Sequence, residues 1–140
     1  MILDSSVAAK WCLPDEATPA AERLLHRYRS GDIELLVPDL FWPEMANLLA
    51  SATRAGRLTE TEGARGLEIL HGLGLPVLAT QALTAAAYAA ACLWRRPAYD
   101  LFYVLLAREH EDSLITADDR LVRAFGHRFP VRSLASFSEW

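Results

Sequence analysis

Short apolar runs alternate along this chain with stretches whose apolar positions recur every three or four residues. Ile2-Leu3, Ile33 to Val37, Pro76-Val77-Leu78, Ser113 to Thr116 and Val131 to Leu134 are the runs; they are too short for buried helices and bounded by turn residues, so they predict strands. Between them the period changes to that of a helix. Ala21, Leu24, Leu25 and Tyr28 share one helical face from Ala20 to Tyr28, which Gly31 terminates. Ser5 or Ser6 is placed to cap a short helix through Trp11, and Pro14 and Pro19 bracket a loop. Asp39 is placed to cap a helix over Leu40 to Ala55, with Pro43 in its tolerant first turn and Gly56 beyond its end. Thr59 and Glu62 fit a capping box for a helix running to about His71, broken by Gly72-Leu73-Gly74. Helix resumes over Leu83 to Trp94, stops at Arg95-Arg96-Pro97, and restarts near Ala98 to about Glu111, packing Leu101, Val104, Leu105 and Ala107. A last helix spans Ala117 to Phe125. This alternation predicts an α/β fold: one domain over residues 1–140, with a central parallel β-sheet flanked by helices on both faces.

Composition narrows the class. At 140 residues and 52% apolar, the chain can bury a core of its own and is not a disordered segment. Two cysteines, Cys12 and Cys92, lie far apart, which suits free buried thiols in a reducing compartment. The apolar window from Ala82 to Trp94 is too short to cross a bilayer and reads as an alanine-rich core helix. With no basic, apolar or cleavage-like leader at the N-terminus, a soluble cytoplasmic protein is expected. The net charge of −4 excludes a sequence-independent nucleic-acid coat, but not a nuclease whose acids bind cations. Lys10 is the one lysine beside thirteen arginines; arginine suits bidentate phosphate contact, and a GC-rich genome gives the same bias.

Candidate chemistry lies in four acids. Asp4 follows the first strand and Asp118 the fourth, which places both at the carboxyl rim where ligands bind in such sheets. Glu44 and Asp100 stand in the first turns of their helices. Taken singly, Glu44, Asp100 and Asp118 also read as acids that favour a helix N-terminus by ~0.3–1 kcal/mol. Asp4 has no such explanation: a rim carboxylate beside a buried strand needs a partner, and apart from Lys10 the neighbouring strand ends bring more acids. Clustered carboxylates cannot all ionise without a cation between them, and an all-oxygen set suits Mg²⁺ or Mn²⁺ rather than Zn²⁺. His26, His71, His110 and His127 show no metal-ligand spacing, and neither a nucleophile elbow nor a phosphate-binding glycine loop occurs.

In order and spacing these segments resemble the PIN-domain ribonucleases, and among them the VapC-type toxins of bacterial toxin–antitoxin pairs. Leu3-Asp4-Ser5-Ser6-Val7-Ala8-Ala9-Lys10-Trp11 is similar to the family's opening, Pro43-Glu44-Met45-Ala46-Asn47 to its second acidic motif, Tyr99-Asp100-Leu101-Phe102-Tyr103-Val104 to its third and Leu114 to Leu121 to its fourth. The Gly56-Arg57-Leu58-Thr59 turn is also similar. The resemblance implies a metal-dependent endoribonuclease, a homodimer, and a VapB-type antitoxin that blocks the acidic pocket. The doubled Asp118-Asp119 departs from the pattern; Asp118 keeps the family's distance from Thr116 and is taken as the fourth acid.

The reading that follows gives Asp4, Glu44, Asp100 and Asp118 one or two divalent ions and hydrolysis of RNA, transfer or ribosomal, by an activated water. Ser6, Thr116 and Asn47 would aim the carboxylates, with Asp119 as cap or outer neighbour; capping roles for Ser6 and Thr116 and a solvated helix face for Asn47 are the alternatives. Arg95 and Arg96 are candidates for phosphate contact, or simply a solvated helix end. Phe41, Trp42, Trp11 and Trp94 belong either to the core or to a partner groove. A PIN-like module that binds RNA or protein without turnover remains the other class of reading. A phosphoacceptor receiver domain is disfavoured, because no acidic pair follows the first strand and no late lysine is present.

Overall fold

Five strands of two or three residues form, and every pairing among them is parallel. In the computed structural model, which describes residues 1–139, they are β1 (Ile2–Leu3), β2 (Val37–Pro38), β3 (Val77–Leu78), β4 (Leu114–Thr116) and β5 (Val131–Ser133). One ladder runs β1-β4-β5 and the other β2-β3. They join through Leu36, whose amide donates to the Met1 carbonyl while its own carbonyl accepts from Leu3, each at 2.9 Å. The spatial order is therefore β3-β2-β1-β4-β5, with β1 in the middle.

Alternation along the strands divides the core in two. Leu3 and Ile115 pack with Val7, Leu24, Phe41 and Met45, whereas Ile2 and Leu114 pack with Val104, Leu106, Leu121 and Phe125. The first face is covered by α1 (Ser5–Cys12), α2 (Pro19–Arg29), α3 (Phe41–Arg54) and α4 (Glu60–Gly72); the second by α5 (Thr84–Trp94), α6 (Ala98–Glu109) and α7 (Asp119–Phe125). Gly66 lets α4 lie close on α1, since a Cβ there would sit 3.4 Å from Cys12 Sγ. The expected α/β architecture is present, with helices on both faces.

Several local expectations change. The second strand was expected from Ile33, but pairing begins only at the Leu36 bridge to β1, and Val37–Pro38 alone pairs with β3; Pro76 accepts the Val37 amide at 3.0 Å and has no N–H with which to extend that ladder. Neither Ser5 nor Ser6 caps α1, because Asp4 occupies the N-cap position. Asp39 does not cap α3 either. Its carboxylate accepts the Thr80 hydroxyl at 2.6 Å and amide at 3.1 Å, tying the ends of β2 and β3 and holding Asp39 below the usual carboxylate range. Pro19 opens α2 behind a Thr18 cap rather than closing a loop, and α6 ends at Glu109. The capping box of Thr59 and Glu62 forms as expected.

The alanine-rich helix is not a core helix. Of α5 only Ala87 is buried, and Tyr88 and Leu93 are 69% and 76% exposed, because packing on α6 covers one side of a helix that is apolar all round. Cys92 is exposed too, contrary to the expected buried thiol, while half-buried Cys12 has its thiol pushed up to about 11 by burial. The large aromatics are packing residues. Phe41 is fully buried, Trp42 stacks on His71 at 4.1 Å, the Trp11 indole donates to the Ala21 carbonyl at 2.9 Å, and Trp94 packs edge-on against Phe125 and Phe129. No helix among the described residues is long and apolar enough to cross a membrane.

Candidate active site

The central strand delivers Asp4 to the rim. Its amide donates to the Ile115 carbonyl at 3.0 Å, continuing the β1–β4 ladder by one bond, and its side chain is left 8% exposed. Two hydroxyls converge on Oδ2, from Ser6 at 2.6 Å and Thr116 at 2.5 Å. Each hydroxyl has one hydrogen to give. Ser6 Oγ also accepts the Ala117 amide at 3.0 Å and Thr116 Oγ1 the Asp118 amide at 3.0 Å, so both oxygens are turned by the backbone and aim their hydrogens at Asp4. The 3.3 Å approach of Ser6 to Thr116 is then a meeting of two donors on one acceptor. Neither hydroxyl is a helix cap.

The other acids come from different elements. Glu44 lies in the first turn of α3 and Asp100 in the first turn of α6, both half-buried, while Asp118 follows β4. Asp118, not Asp119, caps α7: its Oδ1 accepts the Arg120 amide at 2.8 Å, which is why the helix begins at Asp119 and not Ala117. Burial raises the carboxyls of Asp4, Glu44 and Asp100 above their ordinary values, and their mutual repulsion adds to it. Glu44 feels Asp4 and Asp100; Asp100 feels Asp4 and Asp118; Asp4 feels Asp118. The fold therefore brings all four into one electrostatic neighbourhood.

Cations are scarce within it. Among the described residues no lysine or arginine forms an ion pair with Asp4, Glu44 or Asp100, and Lys10 turns away to the Glu16 carbonyl at 3.4 Å. Arg120 pairs with Asp118 at 3.6 Å, and it and Arg96 partly offset the rise at Asp100. Arg96 reaches the Arg120 carbonyl at 3.3 Å and lies over the Phe125 ring, whereas Arg95 is exposed with a left-handed backbone (φ 52°) that ends α5. Asn47 and Asp119 are exposed, and Asn47 makes no hydrogen bond to Glu44 among the described residues.

A divalent cation fits the chemistry of this donor set: hard oxygens, excess negative charge and partial burial. Its spacing is looser. Among the described residues no three His, Cys, Asp or Glu side chains close into a group that could hold an ion as they stand. Oδ2 of Asp4, Oε2 of Glu44 and Oδ1 of Asp118 are each engaged by protein donors instead. A cleft of about 780 Å³ lined by Tyr28, Ile33, Leu35, Ile69 and Leu73 opens at the opposite, amino end of the strands and contains none of the four acids.

Three neighbours of the acids escaped the sequence reading. Tyr103 donates to Glu44 at 2.5 Å, Ser5 stands beside the same carboxylate and favours its ionised form, and Arg120 pairs with Asp118. Tyr103 was legible in principle, one turn after Asp100 on the same helix; Ser5 and Arg120 carried no signal beyond adjacency.

The model of the PIN-domain family matches residues 1–125. The chain belongs to the PIN-domain family. PIN domains are typically metal-dependent nucleases. Among solved structures, the crystal structure of PAE2754 from Pyrobaculum aerophilum is similar at a TM-score of 0.73 and 19% identity, over 99% of this chain and 89% of that one. That likeness concerns the fold. No curated protein matches the sequence.

The raised carboxyls of this PIN domain have a consequence for stability. An acid that ionises later folded than unfolded loses its proton first in the unfolded chain, so its contribution falls as pH rises from the ordinary value of 3.8 for Asp100. Asp100→Asn removes that repulsion. In chelator at neutral pH the variant should unfold at a higher temperature than wild type, with the gap shrinking as pH falls toward about 4. A variant less stable at neutral pH would contradict the repulsion.

Proposed function

We propose that this PIN domain is a metal-dependent endoribonuclease and the VapC-type toxin of a toxin–antitoxin pair. The observation that carries the nuclease reading is Asp4: a buried carboxylate that repels three further acids, makes no ion pair among the described residues, and is aimed by two hydroxyls. Such an arrangement is costly for a fold and useful for holding a cation. Asp4, Glu44, Asp100 and Asp118 are the residues that would hold Mg²⁺ or Mn²⁺. The ion supplies, when bound, activation of water and neutralisation of charge on the phosphodiester.

The chain's own groups do the rest. Ser6 and Thr116 fix the direction of Asp4, and the α7 cap fixes one oxygen of Asp118. Asn47 and Asp119 lie outside these hydrogen bonds and act at most through water. Arg96 and Arg120, which act on Asp100, and exposed Arg95, next to Arg96 in sequence, are the candidates for contact with RNA phosphates; their loss should weaken RNA binding and flatten its salt dependence. The VapC-type assignment rests on the order of the acidic motifs. It brings with it a cytoplasmic setting, transfer or ribosomal RNA as substrate, and a VapB-type antitoxin that covers the acidic rim.

A homodimer is supported by α5. This helix carries no charged residue and exposes Tyr88 and Leu93, and Tyr99 in the first turn of the neighbouring α6 is 63% exposed, apolar surface that a second copy would cover. The purified chain should sediment as a dimer; a monomer both alone and with its antitoxin removes this part of the reading.

A non-catalytic module that binds RNA or protein is favoured by one observation, the absence of a closed three-ligand group among the described residues. Cleavage separates the two. The antitoxin-free protein, given a cellular RNA pool, should produce discrete fragments with Mg²⁺ or Mn²⁺, none in chelator and none with Asp100→Asn, and added antitoxin should stop the reaction. A folded wild type that cuts nothing under any of these conditions supports the binding module.

A further inference from the structure

Tyr103 is 2% exposed, yet its hydroxyl is not idle: it donates to Glu44 Oε2 at 2.5 Å, joining α6 to α3 across 59 residues of sequence. Phenylalanine would fill the same space without a polar group to desolvate, so the oxygen has a purpose other than packing. With a carboxylate oxygen as its partner, the phenol is the donor in this bond. A phenol has one hydrogen, and here it is spent on one oxygen of Glu44, leaving Oε1 outside this bond. The same helix carries Asp100 one turn earlier, so the bond links two of the four acids through a rigid element.

The geometry points to Tyr103 as a positioning residue that holds Oε2 of Glu44, so that Oε1 is presented to the cation shared with Asp4 and Asp100. This rests on the four-acid cation site proposed above. Tyr103 touches neither substrate nor ion in this account. It acts on Glu44 as Ser6 and Thr116 act on Asp4, so that Asp4 and Glu44 each have one oxygen held by a tertiary hydroxyl donor, with Ser5 a further neighbour of Glu44. Partners of this kind typically contribute 10–100-fold to metal affinity.

Tyr103→Phe removes one oxygen and retains the ring. Calorimetric titration of the full chain with Mn²⁺, beside thermal unfolding in chelator, tests the assignment. Mn²⁺ affinity should fall roughly 10–100-fold in the variant. A purely structural tie between α3 and α6 would lower the unfolding temperature in chelator and leave Mn²⁺ affinity at the wild-type value, and that result overturns the role. Wild type that binds no Mn²⁺ overturns the four-acid reading and this role with it, so the two failures are distinguishable. A measurement without substitution guards against a variant that does not fold. In wild type labelled with 3-fluorotyrosine, Mg²⁺ should shift the solvent-shielded fluorine resonance of Tyr103 and leave that of exposed Tyr88 in place. An unmoved Tyr103 resonance in protein shown to bind Mg²⁺ also overturns the assignment.

Discussion

The constraint on which the rest of this structure depends is the burial of one carboxylate, Asp4, at the end of the central strand. A charge in that position costs several kcal/mol unless other groups answer it. The two hydroxyls from Ser6 and Thr116 answer part of the cost by lowering the carboxyl toward its ionised form, but burial outweighs them and Asp118 adds to the rise. The residual cost is what a cation would remove. Because Thr116 lies on β4 and Ser6 on α1, the hydroxyl pair also fixes the register of the strand, helix and following turn around the acid.

Topology explains why the other acids arrive. In a parallel sheet every strand ends on the same rim, and the chain must then turn into a helix, so helix first turns gather where strands stop. Glu44 comes from the turn after β2, Asp118 from the turn after β4, and Asp100 from α6, which packs across β1, β2 and β4. Four elements separated by up to 114 residues thereby bring carboxylates near enough to repel one another without any of them being neighbours in sequence. The same layout leaves α5 outside, resting on α6 and presenting an uncharged surface.

Much of this was legible in the chain. The strand and helix order and the α/β class follow from the changes of apolar period, and the rim position of Asp4 and Asp118 follows from the strands that precede them. The Thr59 capping box could be read because its signal is local and complete. What failed were choices among equivalent local partners. Asp39 and Ser6 both have the chemistry of helix caps, but each found a tertiary partner, the Thr80 hydroxyl and the Ala117 amide, that no local rule reveals. Asp118 and Asp119 compete for one cap, and only the backbone path after Thr116 selects Asp118. The exposure of α5 was hidden for a different reason: alanine is apolar enough to suggest a core and small enough to tolerate water, so its periodicity shows no face.

The central claim is that these four acids share a divalent cation. Crystals of the protein grown with Mn²⁺ and measured at the manganese absorption edge test it most directly, because the anomalous signal locates the ion without reference to activity. The account predicts a peak bounded by Asp4, Glu44, Asp100 and Asp118, with at least two of the carboxylates as direct ligands. Manganese bound elsewhere, with these acids making the same protein hydrogen bonds as before, would contradict it.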